Sequence, residues 1–419
     1  MTAPWPPLRH NRDFQLLWMG QLLSMLGGQI SSVAYPLLVL ALTGSPARAG
    51  LVGLVGNAPF VLLQLPAGAY VDRWNRRAVM IVCDCGRALA LGSIAVAAAT
   101  GQLSYTQILL VAGVEGSLFV PFRLAETAAL RRVVPAQDQL SDAIAANQGR
   151  TYGTSLAGGP IGGLLFGVRL LLPFAADAVS YLASLGTILA IRTPLSAPTQ
   201  TQQRHLWREI REGLGTAWRH RFLRTTSLLT TGSDFVINGL FLIDVVVATQ
   251  HGASATQVGL MLALGGAGGM LGSFAAPLLR RRIHSVRLII TVTLWSSVPL
   301  LGLTAVTTNA RVLGALLGLI LFAWPLYNAV VVSRWMVEIP DEQMGRVQGA
   351  VALLGWAPVP FAPLLGGILI ERIGSTKTVI AYAVLMVAVA VAATLARSIR
   401  NVSTAKPTRA VPLWPSADA

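Results

Sequence analysis

The chain has 419 residues, of which 54% are hydrophobic and only 12% charged, with a mean hydropathy of +0.62 and a formal net charge of +15. Apolar runs of about 20 residues recur along it, the length that crosses a hydrocarbon core about 30 Å thick. That pattern excludes a soluble multidomain protein, and also a β-barrel, whose strands are short and alternating.

Twelve spans are expected, at 14–42, 47–70, 78–100, 105–131, 142–167, 170–191, 223–249, 254–279, 286–307, 311–333, 346–370 and 375–397. The first follows Arg9 and Arg12 and is too long for a signal-peptide core, so it reads as uncleaved. With these spans most Lys and Arg fall on one side, while the opposite side holds only Arg48, Arg169, Arg311, Arg372 and Lys377. The asymmetry is the positive-inside pattern and puts both termini in the cytoplasm, in a multi-pass protein of the cytoplasmic membrane. It accounts for the positive charge without nucleic acid; the bilayer is the expected partner of that charge.

Cys83 and Cys85 are two apart on the third span and point to opposite sides, which argues against both a disulfide and a metal pair. Helix 4 carries Glu115, Arg123 and Glu126. Glu115 lies near mid-span with no cation nearby in sequence, and a carboxylate out of water is a candidate proton carrier. Arg123 and Glu126, three residues apart on one helix, are expected to pair. Helix 5 contains Gly158-Gly159-Pro160-Ile161-Gly162-Gly163, small residues suited to close packing of helices 5 and 8. On helix 7, Asp234 is a second candidate for proton coupling or for binding a cation, and Asp244 lies nearer the outer side. Polar and aromatic groups able to line a cavity are Gln21, Gln29, Asn57, Gln64, Asn147, Tyr152, Asn238, Trp324, Asn328 and Trp356.

Connections are short except 192–222, which is polar and Arg-rich; its 206–214 stretch reads as an amphipathic helix on the inner membrane face. It divides the chain into six-helix halves at 1–191 and 223–397, followed by a tail at 398–419 read as disordered. Arg76-Arg77 and Arg280-Arg281 are separated by 204 residues, and so are Gly162-Gly163 and Gly366-Gly367, which reads as an internal repeat. There is no phosphate-cradling G-x-x-x-x-G-K-[ST], no G-x-S-x-G and no ligand-spaced Cys/His cluster. Neither an ATP-driven pump nor an enzyme is expected, and no cofactor or metal.

The turn Gly68-Ala69-Tyr70-Val71-Asp72-Arg73-Trp74-Asn75-Arg76-Arg77 resembles the loop between helices 2 and 3 of the major facilitator superfamily of transporters. Further stretches are similar to its enterobactin-exporter and macrolide-efflux branch: Asn11-Arg12-Asp13-Phe14 with Leu17-Trp18, Ala129 to Pro135, Gly345-Arg346-Val347, and Pro173 to Tyr181 of helix 6, where the resemblance implies a structural hydrogen bond for Asp177. The resemblance implies an all-α fold of twelve transmembrane helices in two pseudo-symmetric halves, acting as a monomer. It implies that Gly68, Asp72, Arg73, Arg76 and Arg77 form a cytoplasmic latch, with Asp72 facing the start of helix 11 near Arg346 and Gly68 allowing helices 2 and 11 to meet. The segment Gly159, Pro160, Gly162 and Gly163 is similar to, and one residue shorter than, a helix-5 motif of drug antiporters. A secondary exporter of a small amphipathic compound, driven by protons, is therefore expected. A nutrient importer and a non-transporting membrane sensor or scaffold remain the alternatives. Helix 1 lacks the acidic residue of many proton-coupled exporters, so coupling would fall to helix 4 or helix 7.

Overall fold

The computed structural model describes residues 7–71, 73–195, 215, 218–339 and 355–400. Among them the chain is helical throughout: α1 (Arg12–Thr43), α2 (Pro46–Val71), α3 (Arg76–Ala99), α4 (Tyr105–Val133), α5 (Gln137–Val168), α6 (Leu172–Ala190), α7 (Arg221–Gln250), α8 (Ala255–Arg282), α9 (Val286–Val306), α10 (Ala310–Glu338), α11 (Phe361–Ile373) and α12 (Ser375–Leu395). Ten of these are long and apolar enough to cross a membrane. Large apolar side chains such as Leu62, Leu89, Phe274 and Val306 stand on the outer surface, as expected where the solvent is lipid.

Helix boundaries follow local chemistry. Asn11, Ser104, Ser254, Ser285 and Asn309 each accept a backbone N–H of the first turn they precede, supplying a partner that the helix itself cannot. Gly44 ends α1 with φ +64°, and Gly374 turns α11 into α12 with φ +85°, both in the left-handed region that glycine tolerates best. Cap placement explains why α3 begins at Arg76, two residues before the expected span: Asn75 caps it by accepting from Arg77 N.

The packing repeats with a period of six helices. In the first six, α1 packs on α5 and α6, α2 on α4, and α3 on α4 and α6. In the last six, α7 packs on α11 and α12, α8 on α10, and α9 on α10 and α12. Two seams join the sets, α5 on α8 and α2 on α11. Both seams are built on glycine. A Cβ at Gly163 would meet Ala255 O and the Gly259 backbone; one at Gly367 would meet Pro46 O and the Ala47 backbone. Backbones this close leave no room for a side chain. The glycine pairs 204 residues apart thus occupy matching places. The arginine pairs do not: Arg76 opens α3, whereas Arg280 and Arg281 lie in the last turn of α8.

The stretch 206–214, Asp72, Arg346 and the tail 401–419 lie outside the described residues.

Candidate functional site: a cavity and its buried charge cluster

A cavity of about 670 Å³ lies between the two sets of six helices. Its walls come from α1, α2, α3, α4 and α5 on one side and from α7, α8, α10 and α11 on the other. On α1, Gly28, Ser32, Tyr35 and Pro36 recur at helical spacing and face it. Phe119, Phe241 and Leu262 make it largely apolar, while Gln29, Asn57, Ser155 and Asn238 add neutral polar groups. Gly56 and Gly116 bring α2 and α4 into backbone contact along one wall, since a Cβ on Gly116 would meet Gly56 O.

The lining holds two charged side chains, Arg87 of α3 and Glu115 of α4, and they face each other at 3.8 Å. Both are largely shielded, with side chains 6% and 15% exposed. Tyr35 donates to Glu115 Oε2 at 2.8 Å, and Tyr181 of α6 donates to Oε1 at 3.2 Å. Arg87 Nη2 donates to Tyr181 Oη, and its guanidinium lies 3.9 Å from the centre of the Tyr181 ring. Phe119 and Phe122 flank the same cation at 5.5 and 5.9 Å. One carboxylate thus ties together α1, α3, α4 and α6, and a charge in low dielectric keeps such a pair together. The absence of a cation near Glu115, expected from its own helix, is corrected here: the partner comes from α3.

Behind this pair, Asp177 is fully buried and accepts from Ser31 at 2.6 Å and from Ser180 at 3.1 Å. The contact joins α6 to α1, and the chain makes the structural bond that the resemblance implied.

The pair expected within α4 does not form. Glu126 accepts instead from Arg150 of α5 at 2.7 Å, while Arg123 lies 5.7 Å from the Phe60 ring on α2. Three residues of helix turn the two side chains toward different neighbours, and Arg150, nearly buried, claims the carboxylate.

Of the ten cavity candidates, Gln29, Asn57 and Asn238 line this cavity. Gln21 is buried between α1 and α6, donating to Ser184 Oγ at 3.4 Å. Trp324 stacks on Tyr327 with ring centres 4.9 Å apart, and Trp356 lies against Phe60 at 5.6 Å. Gln64, Asn147, Tyr152 and Asn328 are not among the lining residues. Asp234 is not among them either; Asn238, one turn on, lines the cavity and donates to the Asp234 carbonyl at 2.8 Å. In the helix-5 motif Gly158 and Gly162 meet α1 at Gln29 and Ile30, while Gly159 and Gly163 meet α8, so small residues serve two helices at once. Pro160 sits inside this helix, between the two glycine pairs.

At the loop after α2, Arg73 is exposed and Arg76 buried. Arg77 Nη2 donates to the carbonyls of Ile188 at 3.0 Å, Ile191 at 2.7 Å and Leu189. It therefore caps the C-terminal end of α6, where carbonyls lack helix partners and a cation is favoured. Among the described residues nothing lies within 4 Å of a Cβ placed on Gly68. The close approach expected there is made by no described residue.

Arg87, Tyr35 and Tyr181 escaped the sequence reading. The signal was present for Arg87: a lone arginine inside an apolar span is costly unless it has a partner.

The sequence model of transmembrane secretion effectors, in the major facilitator superfamily, matches residues 2–409. The chain belongs to this family. Macrolide efflux protein A of Streptococcus pyogenes is 23% identical over 399 residues, covering 93% of this chain and 96% of its own. The multidrug efflux pump Tap of Mycobacterium tuberculosis is 27% identical over 392 residues, covering 88% and 89%. Among solved structures, the nucleoside transporter NupG superposes with a TM-score of 0.73 at 14% identity, covering 93% of this chain and 100% of its own. A bacterial homologue of the lysosomal transporter Spinster, inward-facing and unoccupied, gives 0.69 at 16% identity, covering 94% and 98%. The protein is thus a multi-pass membrane protein of a transporter family.

Proposed function

We propose that the protein is a secondary exporter that moves a small amphipathic molecule out of the cell in exchange for protons. The observation that carries the proposal is the cavity between the two sets of helices, mostly apolar and holding one internally neutralised charge pair, Glu115 and Arg87. An apolar wall with a few polar groups suits an amphipathic compound. Both efflux relatives match along nearly their whole length, which supports outward movement.

In this reading the chain spans the cytoplasmic membrane twelve times as a monomer, with both termini inside, and the halves 1–191 and 223–397 rock about the cavity. The six-helix period of the packing supports that division. Glu115 carries the proton. When protonated it no longer attracts Arg87, and the four helices joined through it are free to shift. Asp234 is the second candidate, one turn from the cavity-lining Asn238. At the cytoplasmic end, the family resemblance makes Asp72 and Arg346, together with Arg73 and Arg76, the latch.

The test is retention of dyes, macrolides and siderophores in an efflux-deficient bacterium. Wild type is expected to lower retention of at least one compound. A protonophore, Glu115→Gln and Asp72→Asn are each expected to abolish the effect. Increased retention with wild type would replace export by import, and efflux that survives both the protonophore and Glu115→Gln would remove the proton from the mechanism.

A further inference from the structure

At the end of the molecule where α1 turns into α2, the first turn of α2 is capped from the other set of six helices. Ser45 Oγ accepts from Arg48 N at 3.1 Å, the usual N-cap bond. The Ser45 hydroxyl in turn donates to Glu371 Oε1 at 2.5 Å, and Ala47 N donates to the same oxygen at 3.1 Å. Glu371 belongs to α11, 326 residues away in sequence.

In the matching seam, α5 on α8, the first turn of α8 is capped wholly by its own residues. Ser254 accepts from Gln257 N at 3.3 Å, and Gln257 Oε1 accepts from Ser254 N at 2.8 Å, closing a capping box. In α2 the residue at that third position is Arg48, which has no acceptor to return. Ser45 N finds Thr43 Oγ1 at 3.2 Å instead, and the next free donor of the turn, Ala47 N, finds its acceptor on α11. Counting four residues on from the matched glycines Gly163 and Gly367 gives Gly167 on α5 and Glu371 on α11, so only one of these two matched positions carries a carboxylate. The seam itself is tight: a Cβ at Gly50 would meet Pro363 O, and one at Gly367 would meet Pro46 O. α11 cannot leave α2 here without drawing Glu371 off the cap.

We propose that Glu371 is the latch of the outer gate, holding the α2–α11 seam shut by capping α2 across the interface. The inference rests on the alternating-access reading and orientation proposed above. Each opening to the outside exchanges both hydrogen bonds for water and separates the carboxylate from the partial positive charge of the α2 N-terminus. Losing one helix cap shifts such an equilibrium by roughly tenfold.

The test uses the full-length protein in intact cells, with Cys83 and Cys85 replaced by alanine and Ser32→Cys placed in the cavity wall. A membrane-impermeant thiosulfonate added outside reports opening. Glu371→Ala is expected to raise the labelling rate roughly tenfold, and Glu371→Gln, which keeps an acceptor oxygen, by less. Gln257→Ala removes the reciprocal bond of the local capping box of α8 and is expected to leave the rate near the parent's. Oxidising a Ser45→Cys/Glu371→Cys pair is expected to stop labelling until a reductant is added. The latch is overturned if Glu371→Ala labels like the parent, if Gln257→Ala has the same effect, or if the oxidised pair labels freely. Dye efflux measured in parallel on the same Glu371 and Gln257 variants with Ser32 intact separates the two claims. Faster labelling without any transport keeps the latch and removes the exporter; intact efflux with unchanged labelling removes only the latch.

Discussion

Glu115→Gln takes one negative charge out of the buried cluster and keeps the side chain's shape and one acceptor oxygen for Tyr35 or Tyr181. Arg87 is then left with its charge inside the protein and no carboxylate at 3.8 Å. At that distance and an effective dielectric of about 20, the pair attracts by roughly 4 kcal/mol. Desolvation offsets much of this in the intact pair, but removing one partner costs about 3–5 kcal/mol, because the other charge stays buried. Arg87→Met is expected to cost a similar amount from the opposite side. The double variant removes both charges and is expected to lose far less than the two single losses together. The assay is thermal unfolding in detergent, followed by a fluorogenic maleimide; Cys83, buried in the folded state, supplies the reporting thiol. Each single variant should melt well below wild type, with the double recovering at least half of the summed loss. Additive losses across the cycle would refute the pairing and, with it, the coupling of α3 to α4 through these side chains.

Three further outcomes follow from the same contacts. Arg77→Ala removes the donor to the α6 carbonyls and should cost about 1–2 kcal/mol of stability, lowering the melting temperature, with Arg77→Lys recovering only part of it because a lysine lacks the guanidinium fork. Arg150→Gln should destabilise the protein more than Arg123→Gln in the same assay, since Arg150 holds Glu126 at 2.7 Å and Arg123 does not; equal effects would return the ion pair to α4. Gly163→Val should abolish efflux while leaving membrane insertion and expression intact, because its side chain would occupy the space of Ala255 O and the Gly259 backbone in the α5–α8 seam. An unaltered efflux level in that variant would show that the seam can open without cost.

Much of this protein could be read in one dimension. Bilayer thickness sets the length of an apolar run, and turn and cap residues set where it ends, so helix placement needs no knowledge of neighbours. That is why Asn11, Ser104, Ser254 and Gly374 mark real ends, and why the family was recognisable from short motifs such as Gly68 to Arg77. The matched glycines Gly163 and Gly367 also showed through, because backbone contact tolerates only the smallest residue. What sequence could not assign was partnership. Glu115 and Arg87 are 28 positions apart, as their numbers show, and on different helices; only the packing of α3 against α4 brings them together. The pairing of Glu126 with Arg150 over its neighbour Arg123, and the capping of α2 by Glu371, arise in the same way. A helix determines from its own residues where it begins, how long it runs and which small residues it offers. The direction in which a charge finds its counter-charge belongs to the assembled bundle, where burial makes an unpaired ion too costly to leave alone.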